Sequence, residues 1–210
     1  MQAETELERW NSRFSGEDYV FGTEPNFFLE AQAHRLKPGQ TALALADGEG
    51  RNGVWLAERG LDVLSVDFSP AAQEKARRLA ARRGVAIRTE LADLATWRWE
   101  PERFDLVAAI FFQFADPPLR SKIFAGIKTA LKPGGLLMLQ GYRPEQLQYQ
   151  TGGPSQVENL YTAAMLRAAF ADMEILHLAE HDSVIEEGSR HSGMSALVDL
   201  VARKPRHPPK

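Results

Sequence analysis

Three glycines in the spacing Gly48-x-Gly50-x-x-Gly53 separate a short apolar run, residues 41–46, from a stretch of helical periodicity, residues 51–59. Glycine at these places admits the positive φ of a tight turn and lets backbone approach a ligand that a Cβ would hold off. Strand, glycine loop and helix in this order open a nucleotide-binding sheet, with N–H groups at the helix start meeting an anionic group. Asp67 lies nineteen residues beyond Gly48, at the end of the next apolar run. A carboxylate there can accept from both ribose hydroxyls of an adenosine cofactor. The glycine spacing alone does not separate a dinucleotide from a single adenosine.

The rest of the chain repeats the alternation. Apolar runs at 61–66, 85–91, 104–110 and 136–140 read as strands. Ser69 followed by Pro70 starts a helix that Gly84 stops, and Pro117-Pro118 opens another that ends near Leu131. Lys132-Pro-Gly-Gly135 then turns the chain into the fifth strand. Strands separated by such helices form a parallel sheet covered on both faces. The last part departs from this pattern. After a helix over 158–170, apolar runs at 173–184 and 194–202 are joined by a short link, 185–193, so they pair antiparallel. The expected fold class is α/β: a Rossmann-like three-layer α/β/α sandwich on a seven-stranded, mostly parallel sheet with an antiparallel last strand. Residues 1–40 read as a helical cap around an aromatic loop at 14–25, residues 41–203 as the sheet domain, and residues 204–210 as a disordered tail.

Composition removes several functions. The 210 residues include no cysteine, which excludes disulfides, zinc–thiolate centres and cysteine nucleophiles. No calcium-type loop points to a metal, and no Gly-x-Ser-x-Gly elbow points to a serine hydrolase. Lys and Arg number 25 against 28 Asp and Glu, which is not the basic footprint of a nucleic-acid binder. Arg77, Arg78, Arg82 and Arg83, beside Glu74, read as a solvated helix face. The acidic first residues do not resemble a signal peptide. The longest apolar run, 106–112, is too short to cross a bilayer, so a cytoplasmic protein is expected.

Three features favour a mononucleoside cofactor. Leu91-Ala-Asp93-Leu94 follows the third strand, where Asp93 can accept from an adenine amino group while the Leu94 N–H donates to the ring. The Lys132–Gly135 turn precedes a strand rather than a helix. An antiparallel last strand is foreign to the two βαβαβ halves that bind a dinucleotide. Together these elements resemble the class I S-adenosylmethionine-dependent methyltransferases over residues 40–203. Trp10-Asn-x-Arg-Phe14 and Tyr19-Val-Phe-Gly-Thr-Glu-Pro25 resemble the lead segment of the tellurite-resistance and thiopurine-type small-molecule branch. Residues 141–154 are similar to a segment of bacterial relatives of that branch.

The resemblance implies S-adenosyl-L-methionine, held by Ala46, Asp47, Gly48, Glu49, Gly50, Asn52, Asp67, Phe68, Ser69, Asp93, Leu94, Ile110 and Phe111. It also implies a small-molecule methyl acceptor, such as a thiol or chalcogen oxyanion. The chain departs from the family in the first strand. The usual acid and the glycine two residues later are Ala44 and Ala46 here, and acids stand instead at Asp47 and Glu49. One of these two should face the cofactor's ammonium group, and Arg51 or the helix-start N–H groups its carboxylate.

Acceptors in open α/β sheets bind beyond the carboxyl ends of the strands. Tyr19 and Phe21 from the cap, with Phe112 and Phe114 after the fourth strand, can wall a dry pocket near the sulfonium. Tyr142, Arg143 and Tyr149 follow the fifth strand and can orient a polar or anionic acceptor. Of five histidines, His191 in the 185–193 link is best placed, and His191 and Tyr19 are the base candidates for an oxygen or nitrogen acceptor. A soft nucleophile needs no base. Two other readings fit the same residues: a nicotinamide-dependent oxidoreductase, and a cofactor-binding module without catalysis.

Overall fold

β1 (Thr41–Leu45) sorts its side chains by size: Leu43 and Leu45 face one side of the sheet, Ala42 and Ala44 the other, and all four are buried. This comes from the computed structural model of the chain, which describes residues 6–188 and 191–206. Before β1 stand two short helices, α1 (Glu6–Phe14) and α2 (Phe27–Ala31). After it come α3 (Arg51–Glu58), β2 (Asp62–Asp67), α4 (Pro70–Arg83), β3 (Arg88–Leu91), β4 (Phe104–Ile110) and α5 (Pro117–Ala130). The chain ends with β5 (Leu131–Tyr142), α6 (Gln146–Tyr149), α7 (Ala163–Ala169), β6 (Glu174–Glu187) and β7 (His191–Arg203).

The alanines of β1 allow a close approach by α2 and α3, which pack there through Phe28, Leu29, Trp55 and Leu56. The leucine face meets Ile123, Phe124 and Ile127 of α5 and Leu166 of α7. The sheet order is β3-β2-β1-β4-β5-β7-β6. β7 runs antiparallel to β5 and β6, and the other pairings are parallel, as expected from the sequence. The direction of strand succession reverses between β1 and β4. That reversal opens a crevice above the carboxyl ends of these strands.

Local chemistry accounts for the helix ends. The Ser69 hydroxyl accepts from the Ala72 N–H at 3.2 Å, Pro70 begins α4, and Gly84 ends it at φ 70°. Asp116 accepts from the Leu119 N–H at 3.0 Å ahead of Pro117. Besides β6 and β7, which run on to Glu187 and from His191 where a link over 185–193 was expected, four boundaries differ from the sequence reading. β3 starts at Arg88, because residues 85–87 only lead into the pairing with β2. Lys132–Gly135 lies inside β5, where the ladder to β4 shifts register between Phe104 and Leu106 and Gly134 takes φ 82°. The helix expected over 158–170 is a 3-10 turn, Val157–Asn159, and a separate α7, because Thr162 caps the second by accepting from the Met165 N–H.

The fourth difference is the tail. Lys204 extends the β5–β7 ladder: its N–H donates to Gly135 O at 2.9 Å, and the Gly134 N–H donates to its carbonyl at 2.8 Å. Residues 207–210 of the expected tail lie outside the described residues. Among the described residues, no helix is long and apolar enough to cross a membrane.

Candidate active site

The ends of β1, β2, β3 and β4 open onto a cavity of about 870 Å³. Leu7, Trp10 and Phe14 of α1 close it from above, with Phe21 beside them. Two residues leave the sheet here in left-handed backbone, Ala46 at φ 49° after β1 and Phe111 at φ 52° after β4. For residues with a Cβ this conformation costs about 1–2 kcal/mol each. Such strain collects where chain direction serves a site. Ala46 is also the place where the family's loop carries glycine.

The loop glycines divide their work. A Cβ on Gly50 would lie 2.6 Å from the Ala76 Cβ, and one on Gly53 would lie 2.4 Å from Asp47 Oδ2. Both therefore make room for protein atoms. Gly48 lines the cavity, and its N–H donates to Asp67 Oδ2 at 2.9 Å. Asp67 also accepts from the Ser69 N–H at 2.9 Å, so it ties the loop to the end of β2. Burial raises its carboxyl above the ordinary range.

Asp47 organises the loop from within. It accepts from the Gly53 N–H at 3.1 Å and from the Ser65 hydroxyl at 2.7 Å. Burial pushes its carboxyl up to about 7, against the pull of those two hydrogen bonds.

Arg51 supplies the cationic wall. Its Nη2 donates to Glu187 Oε2 at 2.6 Å, while its buried Nη1 has no partner and the residue lines the cavity. Glu187 further accepts from Asn26 Nδ2 at 2.9 Å and from the Phe27 N–H at 3.2 Å. Burial alone would raise its carboxyl, but His191, the Arg51 guanidinium and the Phe27 N–H hold it at about 2. Asn26 Nδ2 also donates to Gln140 Oε1 at 2.7 Å, and Gln140 Nε2 donates to Asp199 Oδ1 at 2.7 Å. A continuous polar chain thus anchors the end of β6 over the loop.

A second cavity, of about 830 Å³, adjoins the first. The two share Glu6, Trp10, Phe21, Phe111, Phe114 and His191. Beyond this wall the second cavity is lined by Arg9, Arg13, Gln113, Tyr142, residues 150–156, Asn159 and Ser192. Gln113 fixes its floor. The Gln113 Nε2 donates to the carbonyls of Tyr142 and Asn159, and its Oε1 accepts from the Tyr142 N–H at 2.6 Å. His191 sits in an aromatic cage, with ring centroids 4.5 Å from Phe21, 4.7 Å from Phe111 and 5.7 Å from Tyr142. Burial lowers its pKa, so the imidazole is neutral at physiological pH.

A family model described as a methyltransferase domain matches residues 42–135, which hold the loop, Asp67, Asp93 and the first four strands. The glycine/sarcosine N-methyltransferase of Aphanothece halophytica is 29% identical over 194 residues, covering 82% of this chain and 68% of that protein. Residues 42–135 thus carry a methyltransferase domain, and the chain resembles the class I S-adenosylmethionine-dependent methyltransferases. It spans about half the length of four further curated relatives. The solved structure described as "Conversion of a Disulfide Bond into a Thioacetal Group during Echinomycin Biosynthesis" has the same fold, with a TM-score of 0.77 at 19% identity, covering 97% of this chain and 93% of that one. TehB from Haemophilus influenzae also shares the fold, with a TM-score of 0.69 at 17% identity, covering 94% of this chain and 66% of that one.

S-adenosylmethionine is the cofactor of this class, and the first cavity suits it: a space large enough for an adenosine, and an unpartnered guanidinium nitrogen where a carboxylate can dock. Of the residues assigned to the cofactor from sequence, Ala46, Asp47, Gly48, Asn52, Asp67, Phe68, Asp93, Leu94, Ile110 and Phe111 line this cavity. Three do not. Glu49 turns outward to Lys75 at 2.7 Å and accepts from the Phe21 N–H, Gly50 packs on α4, and Ser69 is spent capping α4. Asp93 itself is exposed and accepts from the Ala95 N–H at 2.8 Å.

On the acceptor side Phe21, Phe114, Tyr142 and His191 line the second cavity. Tyr19 does not reach it, because its hydroxyl donates to the Lys75 carbonyl at 2.9 Å and its ring packs with Val54, Leu79 and Ala80. Arg143 is drawn to Asp182 and Glu145, and the Tyr149 hydroxyl donates to Asp182 at 2.9 Å, so both lie outside the two cavities. Phe112 touches the first cavity but is core, packed against Phe124 and Tyr161. The sequence reading passed over Glu187, Asn26 and Asn159. Asn26, an Asn before an apolar pair, carried the one local signal, since it caps α2 by accepting from the Leu29 N–H at 3.0 Å.

Proposed function

We propose that the chain transfers the methyl group of S-adenosylmethionine to a small polar acceptor held in the second cavity. The observation that carries this reading is the shared wall. A cofactor in the first cavity, with its carboxylate at Arg51 and its adenosine between Phe68 and residues 91–95, would present its sulfonium near Phe21, Phe111 and His191. Bound there, the cofactor supplies a methyl group on a positively charged sulfur. The chain then aligns the acceptor and excludes water, which together account for most of what such a displacement requires. Aromatic faces at Phe21 and Phe111 favour a cation beside them. Residues 1–40 act in this reading as a cap on the 41–203 domain, since α1 roofs both cavities.

The name of the Aphanothece relative, a glycine/sarcosine N-methyltransferase, supports a small metabolite as acceptor. The case for a thiol or chalcogen acceptor rests on weak base candidates, and the cage around His191 weakens that case. A cytoplasmic site accompanies the cofactor. Thermal unfolding with S-adenosylmethionine and, separately, with NAD tests the reading. At about a hundredfold excess over Kd, a true ligand adds about 2.7 kcal/mol of stability. S-adenosylmethionine should raise Tm by several degrees, and NAD should not. The reverse order would favour the oxidoreductase.

A further inference from the structure

We propose that the acceptor is a protic nucleophile, an amine or a hydroxyl compound, and that His191 is the base that removes its proton. This rests on the methyl transfer proposed above and names its substrate class. Three observations lead to it.

The first is position. His191 belongs to the wall common to both cavities, so an acceptor atom that meets the methyl group passes beside it. The second is orientation. His191 Nδ1 lies 3.9 Å from Glu187 Oε2 and has no hydrogen-bond partner. A short closure would let Glu187 take an Nδ1–H, which leaves Nε2 as the lone-pair nitrogen for the acceptor. Glu187 is fixed for that task by Arg51, Asn26 and the Phe27 N–H. The charged groups around the imidazole are Glu187, Arg51 and Arg13, and Tyr142 faces it as well.

The third observation is the hydrogen-bonding character of the second cavity. Asn159 Oδ1 and the Tyr142 hydroxyl are buried there without partners. A carbonyl oxygen can only accept, so the complementary ligand brings N–H or O–H groups. A halide brings none and would meet the Asn159 lone pair.

In the step, the acceptor's lone pair forms its bond to the methyl carbon as the carbon–sulfur bond breaks. That bonding pair returns to sulfur and leaves a neutral thioether. The proton lost by the acceptor passes to His191 and from there to solvent.

The test uses the full chain with S-adenosylmethionine and four acceptors: glycine, catechol, ethanethiol and iodide. It follows kcat/KM against pH for the wild type and His191→Asn, and titrates the His191 imidazole by NMR without cofactor. The expected result is methylation of glycine or catechol, with a rising limb in pH at the ionisation that NMR assigns to His191. His191→Asn should lower kcat/KM about 100-fold and abolish that limb, while the Kd for S-adenosylmethionine changes less than about threefold. Turnover of ethanethiol or iodide alone would overturn the proposal, as would a pH limb that survives in His191→Asn. Absence of S-adenosylmethionine binding would instead sink the methyl transfer reading itself, and the proposal with it.

Discussion

Asp47 and Glu187 are two buried carboxylates with opposite fates, and the difference lies in their partners. Glu187 meets a guanidinium, an amide and a backbone N–H, and stays ionised to about pH 2. Asp47 meets only a hydroxyl and one N–H, and burial takes it to about 7. The consequences for stability run in opposite directions. The Asp47 contribution is fully present below the ordinary carboxylate range and is lost as pH rises through about 7. Glu187 stabilises above its ordinary range, and that stabilisation is lost as pH falls toward 2. Asp47→Asn keeps both hydrogen bonds without a buried charge, since its amide can donate to the Ser65 hydroxyl. Its unfolding free energy should equal or exceed the wild type's at pH 8 and lose the fall between pH 4 and 8, a term on the order of 4 kcal/mol at most. Urea unfolding across that range checks it, and a variant that is less stable at pH 8 would contradict it. The sequence made Asp47 visible because it stood in the loop. Glu187 was invisible because its partners lie far along the chain, at Asn26 and Arg51.

At the scale of elements, the strands and helices that carry strong local signals were legible. Ser69-Pro70 and Gly84 marked both ends of α4, and the apolar runs marked the interior of every strand. What the sequence hid was the length of β6 and β7. Residues 185–188 and 191–193 include charged and small residues that break an apolar pattern, yet Glu187 pairs with His191 to continue the ladder. The reason is tertiary, since Glu187 is held from across the crevice. α1 presents a third case. It packs on α4 and roofs the cavities through Leu7, Trp10 and Phe14, while the sheet core forms without it. Deleting residues 1–15 should therefore lower turnover at least about tenfold, because water enters the shared wall, while Tm falls by only a few degrees. Activity and thermal unfolding measured on the same preparation distinguish this from a structural role. A loss of Tm that matches the loss of turnover would contradict it.

For the whole molecule, the make-up of the sheet was readable, because helices between strands impose parallel pairing and the final hairpin adds an antiparallel strand, while the strand order came only with the fold. The site above the sheet was readable only in part. Its cofactor half comes from strand ends that local sequence announces. Its acceptor half is assembled from α1, the segment after β4, residues 150–159 and the start of β7, which only the folded chain brings together. In the proposed reaction, cofactor and acceptor occupy these adjoining cavities and meet at Phe21, Phe111 and His191. A crystal structure with S-adenosylhomocysteine bound decides whether they do. It should show the carboxylate on Arg51, the adenosine beside Phe68 and Asp93, and the sulfur at the shared wall facing the second cavity. A sulfur directed away from His191, or a ligand carboxylate that leaves Arg51 untouched, would contradict it.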